Sequence, residues 1–273
     1  MQEVLWDFKE DASVKARVYE FYHLNAEHTA RTQCFHAPKM DYELKNTAEK
    51  ESVGIIDTAE KKNVEIIDTV PCLADMAEEG YTLKQALMDR RTSWNFHREP
   101  LTPAEIKKYF AYSFGVNEKE SGLKTYPSGG RLYPVEIYVI PTKKIAGKNA
   151  VFSESYCVRY NVHTRNIEKG SLFNTDEVDL LVSATAIGSF SFDNAQMLIC
   201  LVGAPQVMKK KYHALSYRLM HDECGHMGQN MMLAAGLLGL SVVPLGGFFE
   251  ARMKKLAGIR EPEKKVLYVL AVG

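Results

Sequence analysis

The sequence predicts an α+β fold, in which a few-stranded mixed or antiparallel sheet is flanked by helices. Strand-like and helix-like segments do not alternate regularly along the chain, which disfavours a doubly wound parallel sheet. One long segment has the apolar spacing of a helix, and several short segments have the patterns of buried or half-buried strands. The chain has 273 residues and is 46% hydrophobic, so it has enough apolar side chains for a substantial core.

Charge, hydropathy and cysteine content disfavour several classes of protein. The formal net charge is zero, whereas a nucleic-acid-binding protein usually has a basic excess. The apolar runs are shorter than the roughly 20 residues that a membrane helix needs, and the first residues lack the pattern of a secretory signal. Five cysteines without a CxxC motif suggest neither disulfides nor zinc. We therefore expect a cytoplasmic protein in which Cys200 and Cys224 are core residues.

Residues 1–80 and 81–273 differ in composition and are predicted to form separate parts. Residues 1–80 are rich in charge, with one helix expected near residues 13–23 and two short edge strands in the echo GIIDT and EIIDT. This arm is a docking element for a partner or a peptide, a segment that wraps a dimer, or a solvated disordered segment. Residues 81–273 hold the periodic patterns of a folded domain.

Two short helices are predicted from their capping boxes. Thr82 is followed by Gln85, and Thr102 is followed by Pro103 and Glu105. These residue types satisfy the first free N–H groups of a helix. The first of the two helices is predicted to end at a pair of arginines.

A longer helix follows in LMHDECGHMGQNMMLAAGLLGL. Its apolar residues recur every three or four positions, which predicts a long amphipathic helix in the core or at an interface. FEARMKKLAG predicts another helix, which ends at Gly258. The apolar residues of the long helix are Met220, Cys224, Met227, Met231, Ala234 and Leu238.

Five further segments have strand patterns. VEIYVI is predicted to be a strand, and QMLICLV is a continuous apolar run that predicts a central strand. SYCVRYNV alternates apolar and polar residues, which indicates a half-buried strand. SVVPLGGF predicts a short strand followed by a glycine turn, and KVLYVLAVG predicts a last buried strand.

The stretch HDECGH suggests a metal site at first sight, but its spacing argues against one. His221 and His226 are five residues apart, so on a helix they point in different directions, whereas a zinc-binding helix needs a spacing of four. We therefore expect no metal, and we expect Asp222 and Glu223 to be solvated or to lie at a helix start.

Three stretches are candidate binding segments, and local reasoning leaves alternatives open for each. RRTSWNF puts arginines at a helix end, where they complement the helix dipole or bind an anion together with the neighbouring hydroxyls. PSGGRLYP precedes a strand, so it is neither a P-loop nor a Rossmann turn, and a tight turn is favoured. VVPLGGF is a strand-to-helix turn or a place where bare backbone approaches a ligand.

The run KKKYHALSYR is basic and aromatic. A solvated charged face is the default interpretation of such a run. Lys211 and Tyr212 become candidates for proton transfer only if they lie in a pocket, where burial makes a lysine easier to deprotonate.

The order of these stretches resembles the FMN-dependent nitroreductase superfamily. More narrowly, it resembles the SagB/McbC-type dehydrogenases, the azoline oxidases of thiazole/oxazole-modified peptide biosynthesis. The resemblance covers roughly residues 80–273 and rests on RRTSWNF, YPSGGRLYPVEIYVI, KYHALSYR, CGHMGQNMMLAAGLLGLSVVPLGGFFEARMKKLAGI and VLYVLAVG. It implies a nitroreductase-like α+β fold and an intertwined homodimer with FMN at the interface.

The resemblance also implies roles for individual residues. It assigns proton handling to Lys211 and Tyr212. Arg131 stands where relatives often have a small residue and is expected to narrow the pocket or bind a carboxylate, and Trp94 stands where many relatives have a basic residue. The residues predicted to bind FMN are Arg90, Arg91, Thr92, Pro127, Ser128, Gly129, Arg131, Leu245, Gly246 and Gly247.

The function that the resemblance implies is a two-electron oxidation of a peptide-derived azoline to an azole. FMN would accept the hydride, dioxygen would reoxidise the flavin, and a cyclodehydratase would be a partner. Three alternatives stay open: an NAD(P)H-dependent reductase of nitro groups, quinones or unsaturated residues; another FMN-dependent oxidation of a modified amino-acid residue; and a non-catalytic flavoprotein scaffold. We expect neither a nucleic acid nor a membrane as a partner.

Overall fold

The fold is described from a computed structural model. The structure describes residues 64–77, 80–96, 99–117, 121–175, 178 and 194–273. The helix predicted near residues 13–23 and the first of the two predicted edge strands lie outside the described residues.

A single antiparallel sheet forms the centre of the described part of the chain. The described residues form seven strands: β1 (Ile66–Thr69), β2 (Val135–Pro141), β3 (Tyr156–Asn161), β4 (Asn166–Leu172), β5 (Met197–Gly203), β6 (Val242–Leu245) and β7 (Lys265–Val272). Their order in the sheet is β1-β4-β3-β2-β5-β7-β6, and every neighbouring pair is antiparallel. The predicted α+β class with an antiparallel sheet is therefore confirmed.

The strand predictions are largely confirmed, with one strand missed. QMLICLV forms β5, an interior strand in which all residues are buried. The second echo segment forms β1 at an edge of the sheet, as predicted. Because β1 lies within residues 1–80, the sheet begins before the proposed boundary, and the division at residue 80 stays a prediction. Strand β4 was not predicted because its sequence NIEKGSL is largely polar and three of its seven residues are exposed.

Helices surround the sheet, and the described residues include α1 (Leu83–Asp89), α2 (Pro103–Phe114), α3 (Pro205–Tyr212), α4 (Leu215–Leu238) and α5 (Glu250–Ala257). Both predicted capping boxes are present, at the starts of α1 and α2. Helix α5 ends at Gly258 as predicted, with φ of 69°. This left-handed conformation is one that glycine adopts without steric cost.

Apolar side chains cover both faces of the sheet. On one face α2 and α4 pack together, and the Tyr109 hydroxyl donates a hydrogen bond to the Met231 carbonyl at 3.2 Å. On the other face α5 buries Met253 and Leu256 in a second cluster, which includes Cys200 of β5. Cys200 and Cys224 are buried, as predicted. The sheet is therefore the middle layer between α2 and α4 on one side and α5 on the other.

Candidate functional site

The loop between α2 and β2 approaches the C-terminal end of α3. Gly130 lies at the tip of this loop with φ of 63°. A Cβ atom at Gly130 would lie 2.7 Å from the hydroxyl oxygen of Tyr212 and 2.8 Å from Nζ of Lys211. A Cβ atom at Gly129 would lie 3.0 Å from Cε of Met208. The two glycines thus allow the loop backbone to lie directly against the side chains of α3.

Hydrogen bonds within the loop hold its shape. The Tyr133 N–H donates to Oγ of Ser128 at 2.9 Å, and the Lys124 N–H donates to the hydroxyl oxygen of Tyr133 at 3.3 Å. Arg131 and Tyr133 have φ of 58° and 47°, a region in which a non-glycine residue is strained by about 1–2 kcal/mol. The hydrogen bonds and the packing of Gly129 sustain this conformation. The stretch is a tight turn, as its composition predicts, and its tip contacts the proposed proton-handling pair.

Two packed tyrosine rings lie beneath the tip of the loop. The Tyr133 ring packs edge-on against the Tyr126 ring, with 5.6 Å between centroids, and Nζ of Lys124 lies 5.3 Å from the Tyr133 ring centroid. Burial lowers the pKa of Lys124 to about 8. The ammonium is therefore still mainly protonated at neutral pH and can interact favourably with the ring.

Lys211 and Tyr212 occupy the last turn of α3. Pro205 begins this helix. The start of the basic run, for which a solvated charged face was the default prediction, forms its second half. Nζ of Lys211 lies 5.2 Å from the Tyr212 ring centroid. Lys211 is exposed and Tyr212 is half-buried. The pair is therefore accessible to a substrate, and Lys211 is not the buried lysine that local reasoning required.

The RRT stretch (residues 90–92) follows α1 and runs beside β6. The guanidinium Nη1 of Arg91 donates to the carbonyls of Met88 and Arg90, both at 2.7 Å, which is the helix-end role that the sequence allows. The Ser93 N–H donates to the Val242 carbonyl at 3.3 Å. Exposed Arg91 and its neighbours are thus fixed next to the strand that leads into the PLGG turn.

The PLGG turn (residues 244–247) has two consecutive residues without side chains. Leu245 is buried at the end of β6, whereas Gly246 and Gly247 are exposed. In the described part of the chain, a Cβ atom at either glycine would have no neighbour within 4 Å. Trp94 and Phe248 pack against the core cluster on the α5 face of the sheet, so Trp94 has a packing role. The two glycines leave room for a flat ligand to approach the backbone.

The predicted site residues therefore form two groups in one chain. One group contains the PSGG turn (residues 127–130) and Arg131 beside Lys211 and Tyr212. The other group contains the RRT stretch, β6 and the PLGG turn. In the first group Pro127 and Arg131 are exposed, while Ser128 is half-buried and bonded within the loop.

The prediction that Glu223 is solvated or lies at a helix start is wrong, because Glu223 is buried in the interior of α4. Asp222 is exposed as expected, but Glu223 is only 1% exposed, because it lies on the apolar stripe of α4 between Met220 and Met227. Burial raises the pKa of Glu223 to about 7, although the Ser128 hydroxyl and the Val135 N–H offset part of the rise. Its position three residues after Met220 is the sequence signal that could have revealed its burial.

Two further types of site are absent from the described part of the chain. None of its helices has the length and apolar character to cross a membrane. Its His, Cys, Asp and Glu side chains form no group of three or more that could hold a metal ion.

The sequence of residues 87–273 matches the nitroreductase family. The chain belongs to the nitroreductase family. A nitroreductase-family protein of Methanocaldococcus jannaschii is 27% identical over 183 residues, which are 67% of this chain and 87% of that protein. This nitroreductase-family chain thus retains the family sequence over the region that forms most of the sheet and both groups of predicted site residues.

Two relatives are named for peptide processing. The microcin B17-processing protein McbC of Escherichia coli is 23% identical over 176 residues, which are 64% of this chain and 63% of McbC. The trifolitoxin-processing protein TfxB of Rhizobium leguminosarum is 30% identical over 120 residues, which are 43% of this chain and 30% of TfxB. These similarities support the assignment to the McbC-type branch of the superfamily.

Solved structures share the fold. A chain of the Escherichia coli microcin synthetase McbBCD complex with truncated pro-MccB17 bound gives a TM-score of 0.59 at 19% identity, with 97% of this chain and 94% of that chain covered. A nitroreductase structure from Ralstonia eutropha gives a TM-score of 0.58 at 16% identity, with 77% of this chain and 97% of that chain covered. At such identities the likeness supports the nitroreductase-like fold.

Proposed function

We propose that this protein is an FMN-dependent oxidoreductase that removes two hydrogens from a peptide-derived azoline. The observation that carries the proposal is the placement of Gly130 against Nζ of Lys211 and the hydroxyl of Tyr212. Two groups that can exchange a proton thus lie beside exposed, side-chain-free backbone, where the ring of a substrate could be held.

The residues present fit FMN. Exposed Gly246 and Gly247 offer backbone with open space around it, as a planar ring needs, and Arg90 and Arg91 offer cations for a phosphate. The remaining predicted contacts, in the PSG turn, would complete the site from a second subunit in a homodimer. Bound FMN would supply the acceptor for two electrons and one hydrogen.

The chain's own residues would manage the proton. Oxidation of an azoline to an azole removes one hydrogen as a proton and one as a hydride equivalent. Nζ of Lys211 or the hydroxyl oxygen of Tyr212 would take the proton from the ring carbon, and solvent would then receive it, since Lys211 is exposed. The Gly130 backbone would limit how far these two side chains can turn away from the substrate.

The peptide nature of the substrate is proposed from McbC and TfxB, which are named for processing peptides. An azoline in a peptide requires an earlier dehydrating cyclisation, so a cyclodehydratase is the proposed partner. Dioxygen is the proposed final electron acceptor, and a cytoplasmic homodimer is the proposed state of the protein.

The cofactor proposal is tested on purified protein. We expect yellow protein that releases FMN on denaturation and that has the mass of a dimer in light scattering. Protein that is colourless and takes up no flavin on reconstitution would contradict the proposal.

The proton-handling proposal is tested with Lys211→Ala. We expect this variant to keep FMN and to lose the oxidation of a synthetic azoline peptide, measured as the loss of two hydrogens by mass spectrometry. Lys210→Ala is the matched control, because Lys210 is an exposed lysine in the same turn of α3. If Lys211→Ala loses flavin instead, Lys211 has a binding role.

An NAD(P)H-dependent reductase is the second candidate, because the relative from Methanocaldococcus jannaschii is named as a nitroreductase. Rapid anaerobic bleaching of the flavin by NAD(P)H would favour this activity. Bleaching by an azoline peptide in the absence of NAD(P)H would favour the dehydrogenase.

A further inference from the structure

A buried carboxyl group lies beneath the loop that contacts Lys211 and Tyr212. Oε1 of Glu223 accepts a hydrogen bond from the Val135 N–H at 3.4 Å, at the point where the loop enters β2. The Ser128 hydroxyl, on the other side of the loop tip, is also close enough to lower the pKa of Glu223. Glu223 thus links α4 to both sides of the loop tip.

The surroundings of this carboxyl group leave it poorly solvated. Among the described residues, neither Oε2 of Glu223 nor the Tyr126 hydroxyl has a hydrogen-bond partner, and both atoms are buried. The charge of Glu223 affects the pKa values of two titratable groups, Tyr126 in the loop and Cys224 on α4. Burial is the main cause that raises both pKa values. Both neighbours are therefore neutral at pH 7, and they do not compensate a negative charge on Glu223.

We propose that Glu223 is a positioning residue that seats the Pro127–Arg131 loop against Lys211 and Tyr212, and that ionisation of Glu223 releases the loop. The link to catalysis rests on the proposed function, whereas the link to the loop rests on the contacts of Glu223 alone. In the structure the loop is closed, which means that it lies against Lys211 and Tyr212. The neutral carboxyl group of Glu223 can stay buried beneath the closed loop. In the carboxylate, Oε2 has no hydrogen-bond partner among the described residues, and it gains one from water only when the loop opens.

The direction of the pH dependence follows from linkage. The pKa of Glu223 is about 7 in the closed loop and would return toward its ordinary value of 4.5 on hydration. The closed loop therefore binds more protons than the open loop, so closure is favoured at low pH and is weakened as the pH rises through 7. With full hydration on opening, the opening equilibrium would increase about tenfold between pH 6 and pH 8.5.

Glu223→Gln is the informative variant, because glutamine has the same shape and stays neutral at every pH. Asp222→Asn is the matched control, since it removes a carboxylate from the adjacent, exposed position of α4. Far-UV circular dichroism and thermal melting of each variant identify any that fails to fold. Glu223→Asp is then a second variant, which keeps the titratable group but shortens it by one methylene.

The experiment is hydrogen exchange of the full-length protein at pH 6 and pH 8.5, read on peptides covering residues 124–135 and corrected for intrinsic exchange rates. We expect protection of this loop to fall about tenfold in the wild type and in Asp222→Asn, and to stay constant in Glu223→Gln. The same fall in Glu223→Gln, or no fall in the wild type, would overturn the proposal. The measurement needs neither flavin nor substrate, so a protein that binds no FMN would refute the proposed function and leave this test intact.

Discussion

Substitution of Gly130 tests whether the loop tip and the α3 pair act together. Gly130→Ala introduces a Cβ atom at φ of 63°, 2.7 Å from the Tyr212 hydroxyl and 2.8 Å from Nζ of Lys211. The left-handed conformation should lower the free energy of unfolding by about 1–2 kcal/mol. The clash should add little to this loss, because the two atoms are the ends of side chains that can turn away.

The effect on activity should be much larger than the effect on stability. The methyl group displaces both proposed proton-handling groups, and a displacement of about 1 Å can reduce a reaction rate by about 100-fold. We therefore expect Gly130→Ala to keep FMN and to oxidise an azoline peptide at least about 100-fold more slowly than the wild type. Urea titration measures the stability, and mass spectrometry of the peptide measures the rate.

Gly122→Ala is the control for backbone strain. Gly122 has φ of 61°, and within the described residues a Cβ atom there would have no neighbour within 4 Å. It should therefore show the same loss of stability with turnover unchanged. Equal turnover in the two variants would refute the proposed role of the contact between Gly130 and the α3 pair.

Three further predictions concern stability and are measured by urea titration. Because the folded pKa of Glu223 is about 7 and the ordinary value is 4.5, the contribution of Glu223 to the free energy of unfolding should be greatest below pH 4.5 and should fall by about 3 kcal/mol as the pH rises through 7, a fall read as the difference between the wild type and Glu223→Gln. Glu223→Gln should lack this fall, and an unchanged slope would contradict the burial argument. Thr102→Ala removes the N-cap of α2 and should cost about 1 kcal/mol; no loss would mean that the cap is dispensable. Met231→Ala opens a cavity at a fully buried position and should cost about 2–5 kcal/mol, whereas Met88→Ala, at a side chain that is 60% exposed, should cost little.

Local sequence patterns predicted most of the secondary structure. The boxes at Thr82 and Thr102 are present because a capping box needs only residues within one turn. The interior position of β5 follows from its continuous apolar run. Helix α3 escaped prediction because its lysines suggest a solvated run, although Pro205 occupies the first helical position, which is a start signal.

Local sequence patterns predicted only part of the candidate site. The residue types of PSGG, RRT and PLGG indicate close approach and anion binding, and their order indicates a family, but no local pattern specifies which stretches meet. Glu223 shows the limit most clearly. Its charge suggests exposure, whereas its position on the α4 stripe and the loop above it enforce burial.

The sequence by itself therefore determined the α+β class, the caps, the interior strand and the family resemblance, because each depends on short-range periodicity or on the order of motifs. Only the tertiary structure decided that Gly130 lies on Lys211 and Tyr212 and that a carboxyl group with a raised pKa lies beneath that loop. Both features depend on distant segments brought together by packing, where the absence of a side chain or the loss of water changes the chemistry of a residue.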